Sequence, residues 1–196
     1  MSRTSVVVLV ALGAALAGLA ISSTANRIRD DDAPAPASKP AGPQLAELGW
    51  RETYGPRGQQ IVFTVDSLEV TEEGWRARLG LENSSSVAYE VGDPRSTLDR
   101  SFGLMLFSTG NVEDLERRNA SGTLPAVRSA ETYQPRLPQI LEPGASWQGT
   151  ISATGALAAG SWVRVVFGAL VAVAKPPEGL PERVVWITDH AHKLER

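Results

Sequence analysis

In the stretch WRARLGLEN, Trp75 to Asn83, apolar and charged residues take turns along the chain. Trp75, Ala77, Leu79 and Leu81 fall on one side of an extended backbone, and Arg76, Arg78 and Glu82 fall on the other. A helix would scatter these residues around its circumference, whereas a strand with one buried face separates them. The preceding segment, IVFTVDSLEV, keeps the period of two but changes parity. Ile61, Phe63 and Val65 share one face, while Leu68 and Val70 have the opposite parity, so a bulge near Asp66-Ser67 must re-aim the chain. Glu72-Glu73-Gly74 supplies the turn between the two strands.

The same reading extends to the C-terminus. SWVRVVFGALVAVA, Ser161 to Ala174, is apolar on both parities apart from Arg164, as expected of a central strand. KPPEGLP, Lys175 to Pro181, ends it, and RVVWITDHAHKL returns as the last strand. Between these regions VAYEV and FGLMLF read as strands. NVEDLERRNASG reads as a short helix: Asn111 can cap it, Glu113 and Asp114 suit its first turn, Arg117 and Arg118 suit its last, and Gly122 stops it. Thr123 to Pro138 is expected to be a long loop, and Pro143-Gly144 a turn into a strand carrying Trp147 and Ile151. The expected fold class is mainly β, an antiparallel β-sandwich of about seven strands with one short helical insertion.

Ahead of the strands, Arg3 precedes an uncharged apolar run from Val6 to Ile21, an export or anchoring element. The polar, Pro/Ala-rich segment after it is too poor in apolar residues to pack and is biased toward extended conformations. The organisation expected is therefore residues 1–25 as a membrane anchor or signal peptide, 26–44 as a linker and 45–196 as the folded domain. Ser23-Thr24-Ala25 would suit a signal peptidase. The run has no more polar stretch before Ile21, and a long spacer has a purpose if it lifts a domain off a membrane. We expect an uncleaved single-pass anchor with the domain outside the cytoplasm, the alternative being secretion after cleavage.

LGLENSS, Leu79 to Ser85, followed by LEPGASWQGTI, Leu141 to Ile151, resembles the immunoglobulin-like modules on the outside of bacterial membrane-anchored or secreted proteins, many of unknown function. Their typical features are an alternating strand ending in Asn and, later, a Pro-Gly turn entering another alternating strand. The resemblance spans Gln60 to Leu194. It implies a fold and a compartment, and it brings no catalytic residues.

The chemistry-bearing residues are few. The net charge of -3 offers no basic footprint for nucleic acid. With no cysteine, disulfides, thiolate metal sites and a cysteine nucleophile are excluded. No Ser stands in a G-x-S-x-G turn, and no glycine-rich loop follows a strand into a helix to hold a nucleotide. Glu72-Glu73 falls in a turn and Asp30-Asp31-Asp32 in the linker, where nothing would tune their pKa values. Asn83 and Asn119 fit the glycan acceptor pattern. Both histidines lie in ITDHAHKL; on a strand His190 and His192 share a face and Asp189 takes the other, two ligands where a metal site wants three or four. The polar end of a last strand is the simpler reading. Trp75, Trp147, Trp162 and Trp186 read as core, as does Trp50, which could alternatively form a recognition surface. The KPPEGLP loop is the next candidate contact surface.

These features suggest a binding module without catalytic activity, cofactor or metal, held at the membrane and meeting a protein or envelope polymer. The alternatives are a metal-binding protein or metal-dependent enzyme using His190 and His192, and a structural accessory subunit of an envelope complex.

Overall fold

The computed structural model describes residues 39–92 and 102–196. In chain order their strands are β1 (Gln44–Tyr54), β2 (Ile61–Val70), β3 (Gly74–Asn83), β4 (Tyr89–Val91) and β5 (Gly103–Phe107); helix α1 (Val112–Ser121) follows. Then come β6 (Arg128–Ser129), β7 (Thr132–Gln134), β8 (Ile140–Leu141), β9 (Ser146–Thr154), β10 (Trp162–Ala172), β11 (Arg183–Ile187) and β12 (His192–Lys193). They make two antiparallel sheets. The first has the order β1-β2-β3-β9-β7. The second is built on β10, which is paired along both edges: Val166 lies between Gly103 and Ile187, and Leu170 between Val91 and Val184. Strands β5 and β4 thus follow one another along one edge, and β12 and β11 along the other. Strand β6 adds to β5 and β8 adds to β4.

One apolar core lies between the sheets. Phe63 of the first is stacked flat on Trp186 of the second at 5.1 Å and meets Phe167 edge-on at 5.1 Å. Trp75, Ala77, Leu79 and Leu81 are buried, and Arg76 and Arg78 are exposed, as the alternation requires. The register of β2 against β3 slips between Val65 and Ser67, which keeps Val65 and Leu68 both in the core. Strand β10 uses the same device between Phe167 and Leu170. Each large apolar side chain withdrawn in this way contributes about 1.5–3 kcal/mol.

Helix α1 is more than an insertion. It lies against the outer face of the second sheet, where Leu115 joins Met105, Phe107, Val166 and Ile187 in a smaller apolar cluster. Gly122 ends it in the left-handed region at φ 67°, a conformation that costs glycine least. Asn111 takes the extended conformation of a cap, but its side chain makes no capping hydrogen bond.

Three expectations need correction. The last strand is broken: β11 stops at Ile187, residues 188–191 turn, and β12 resumes for two residues against Trp162 and Val163. The segment expected to be one long loop contains β6 and β7. Part of the expected linker belongs to the fold, since Pro40 bridges Ala158, Ala41 is buried and β1 begins at Gln44. The apolar run Val6 to Ile21 lies outside the described residues. Among those described, no helix is long and apolar enough to cross a membrane.

Candidate functional site

A dense polar cluster forms where the edge of the first sheet meets the broken last strand. In β1 the even-numbered residues turn inward. Leu48, Trp50 and Tyr54 pack against the core, and Glu52 shares their face. Its side chain is 7 % exposed. A buried carboxylate is tolerated only when donors surround it, and Glu52 has four. Oε2 accepts Trp186 Nε1–H at 2.6 Å and the Asp189 amide at 3.1 Å. Oε1 accepts the His190 amide at 3.2 Å and lies 2.7 Å from His190 Nδ1. Because the carboxylate only accepts, the proton sits on Nδ1, and neutral His190 carries none on Nε2. The imidazole is 54 % exposed and stacks on Trp50, with centroids 5.6 Å apart.

The same turn is held from the opposite side by Arg164, the one charged residue of β10, which is fully buried. Its Nη1 donates to the carbonyls of Thr188, at 2.7 Å, and Asp189, and its Nη2 donates to the Gly110 carbonyl at 2.8 Å. Its guanidinium also lies over the Phe107 ring, 5.5 Å from the centroid. Thr188 Oγ1 accepts the Val165 amide and donates to the His190 carbonyl. Buried anion and buried cation therefore do not touch. Glu52 collects the turn's N–H groups, Arg164 collects its C=O groups, and the peptide dipoles between them link the two charges.

Burial pushes the Asp189 carboxyl above its ordinary value. The Glu52 charge and, to a smaller extent, the Glu116 charge act in the same direction, and Arg164 and His190 oppose them. Burial pulls the Arg164 guanidinium down, against Asp189, Glu52 and Asp114.

Of the residues singled out in the sequence, Asp189, His190 and Trp50 meet at this rim. His192 lies two residues on, opposite Val163 in β12, half-buried. Among the described residues no three His, Cys, Asp or Glu are grouped to hold a metal ion. Trp75, Trp147 and Trp186 are core, and Trp162 packs at the margin of the helix-side cluster. The KPPEGLP loop does not stand free: Leu180 is buried, and Gly179 lies against Pro56 of the β1–β2 turn. Asn83 is inaccessible, its amide donating to the carbonyls of Val87 and Leu141 while Oδ1 accepts the Ser85 amide and hydroxyl. Glu52 escaped the sequence reading, although a carboxylate at the parity of Leu48, Trp50 and Tyr54 was the available signal.

The fold and this rim define a class: a mainly β domain of two antiparallel sheets with one open edge cross-linked through buried charge. No protein-family model, curated protein or solved structure matches the chain.

Proposed function

We propose that the chain is a non-catalytic binding module: an immunoglobulin-like sandwich, anchored by its N-terminal apolar run outside the cytoplasmic membrane, that engages a protein or an envelope polymer. The observation that supports this is the unequal covering of the two sheets. Helix α1 lies on the outer face of the second sheet, whereas the outer face of the first carries a shallow groove of about 520 Å³ among the described residues, bordered by Glu47, Glu69, Arg76, Arg78, Gln134 and Thr150. Its ion pairs are weak partners; Arg76 and Glu69 meet at 3.3 Å with both side chains exposed, and such pairs are worth about 0–1 kcal/mol. A polar or charged chain laid along the groove can replace them at little cost. The better-built polar groups, Glu52 and Arg164, are occupied in holding the rim, which favours an architectural use of the histidine pair over a catalytic one.

The test is site-specific photo-crosslinking of the full-length chain in its native cells, with the reactive residue at Thr150 or, as control, at exposed Glu116 on α1. Adducts from Thr150 that disappear on Arg76→Glu with Arg78→Glu support the reading; adducts from Glu116 alone refute it. Fractionation with N-terminal sequencing tests the anchor, and a soluble species starting at Asn26 would exclude it.

A further inference from the structure

Resting on the reading of the first sheet's outer face as the binding surface, we propose that this face takes a carboxylate-bearing glycan strand, laid across the β-strands with its acidic group on Arg78. The register of the sheet brings the side chains of the groove into two transverse rows. In one, Leu45, Glu69, Arg76, Ser152 and Thr132 stand side by side from β1 to β7. In the other, Glu47, Ser67, Arg78, Thr150 and Gln134 do the same, and both rows line the groove. Each row spans about 19 Å at a strand spacing of about 4.8 Å.

Charge along the rows is ordered. The carboxylates lie on β1 and β2, the guanidinium groups on β3, and only hydroxyls and one carboxamide on β9 and β7. Arg76 is engaged by Glu69, whereas exposed Arg78 makes no ion pair among the described residues and has Ser67 and Thr150 for row neighbours. A guanidinium offers a planar fork that meets one carboxylate with two parallel hydrogen bonds. Glu47, which also makes no ion pair among the described residues, repels an acidic chain on the β1 side. A ligand held at Arg78 therefore extends toward β9 and β7. There the hydroxyls of Thr150, Ser152 and Thr132 and the Gln134 carboxamide both donate and accept, which suits the hydroxyls of a sugar. A peptide fits less well. Strand addition is closed at β1, whose outer side is tied to residues 189–195 through Glu52 and Gln44, and β7 offers three residues. The β3–β7 half of the groove also has no apolar lining to seat the anchor side chains that dominate protein interfaces. A phosphate polymer is charged at every unit, which Glu47 and the net charge of -3 disfavour.

The probe is a hyaluronan tetrasaccharide, which bears a carboxylate on every second sugar, titrated calorimetrically into the full-length chain in detergent micelles. Its methyl ester and inorganic polyphosphate are titrated beside it. The acid should bind, and the ester, which keeps the hydroxyls and loses the charge, should bind about tenfold more weakly, the worth of a charge-assisted bond. Arg78→Met should lose the same tenfold and no longer distinguish acid from ester. Thr150→Ala should lose about fivefold, and Arg57→Met, which removes an exposed cation between β1 and β2, should lose nothing. No binding of the tetrasaccharide, equal binding of acid and ester, tighter binding of polyphosphate, or an equal loss in Arg57→Met overturns the proposal. If photo-adducts from Thr150 persist in that case, only the ligand class falls; if they are missing as well, the binding surface falls with it.

Discussion

Removing the Glu52 carboxylate should strongly destabilise the fold even though it lies on an edge strand. Glu52→Ala strips the acceptor from three backbone or indole N–H groups, those of Trp186, Asp189 and His190, and from the His190 ring. Bonds to a charged acceptor are worth about 1.5–3 kcal/mol each. The His190 ring reaches water and recovers its share, so the lower figure applied to the other three gives a loss of about 4.5 kcal/mol. Glu52→Gln is milder. Its carbonyl can keep Trp186 and Asp189 while its amide faces His190, where the ring can switch tautomer and accept at Nδ1; the His190 amide loses its acceptor, at about 2 kcal/mol. In urea, with a slope near 2 kcal/mol/M, the two variants should shift the midpoint by about 2 M and 1 M. Trp186→Phe keeps a ring on Phe63 but deletes the indole N–H, so a double-mutant cycle with Glu52→Ala should show a coupling of about 1.5 kcal/mol. A loss below 1 kcal/mol for Glu52→Ala, or no coupling to Trp186, would refute this account of the rim.

Arg164→Met, close in shape but without donors, leaves the carbonyls of Gly110, Thr188 and Asp189 unbonded and should cost about 3 kcal/mol by urea melt. Combined with Glu52→Ala it should cost clearly less than the sum, since both act on the same turn. Asn83→Ala breaks a fully buried set of bonds and should cost about 3 kcal/mol. Intact Asn83 should carry no glycan even in a glycosylating host, which mass spectrometry of the purified protein would check. Asp189 has its folded pKa raised above 3.8 by burial, so the folded state binds its proton more readily than the unfolded state. Its contribution is fully present below 3.8 and is lost as pH rises through the raised value. Asp189→Asn should flatten stability against pH across that window, measured by melting at successive pH values.

Much of the β architecture was legible because local patterns and long-range demands agree. The parity change in IVFTVDSLEV required a bulge, and the register slips there. Arg164 interrupted an otherwise apolar run, and that run proved to be the strand paired on both edges. The two motifs that suggested immunoglobulin-like modules also meet in space. The Asn83 amide donates to the Ala145 carbonyl, its carbonyl accepts from Gly144, and its side chain reaches Leu141. An Asn at the end of one strand and a Pro-Gly turn some sixty residues later thus make one buried corner, whose polar groups satisfy each other.

The rim was not legible, for a reason that lies in its partners. Arg164 could be recognised as a charge in need of neutralisation, but its Nη1 and Nη2 donate to three main-chain carbonyls, which leave no trace in the side-chain sequence. Glu52 is surrounded in β1 by exposed Glu47 and Arg51 and reads as one more charge on a solvated strand unless its parity with Trp50 is weighed. Its donors come from residues more than 130 positions away. Only the meeting of the first sheet's edge with the end of β11 brings them together, and that meeting also explains why the last strand is broken. A continuous strand would turn the amides of Asp189 and His190 to opposite edges, and only one of them could join the ladder with β10. The turn frees them for Glu52 and offers its carbonyls to Arg164, so a pair of opposite charges that never touch can both remain buried while the chain between them carries the interaction.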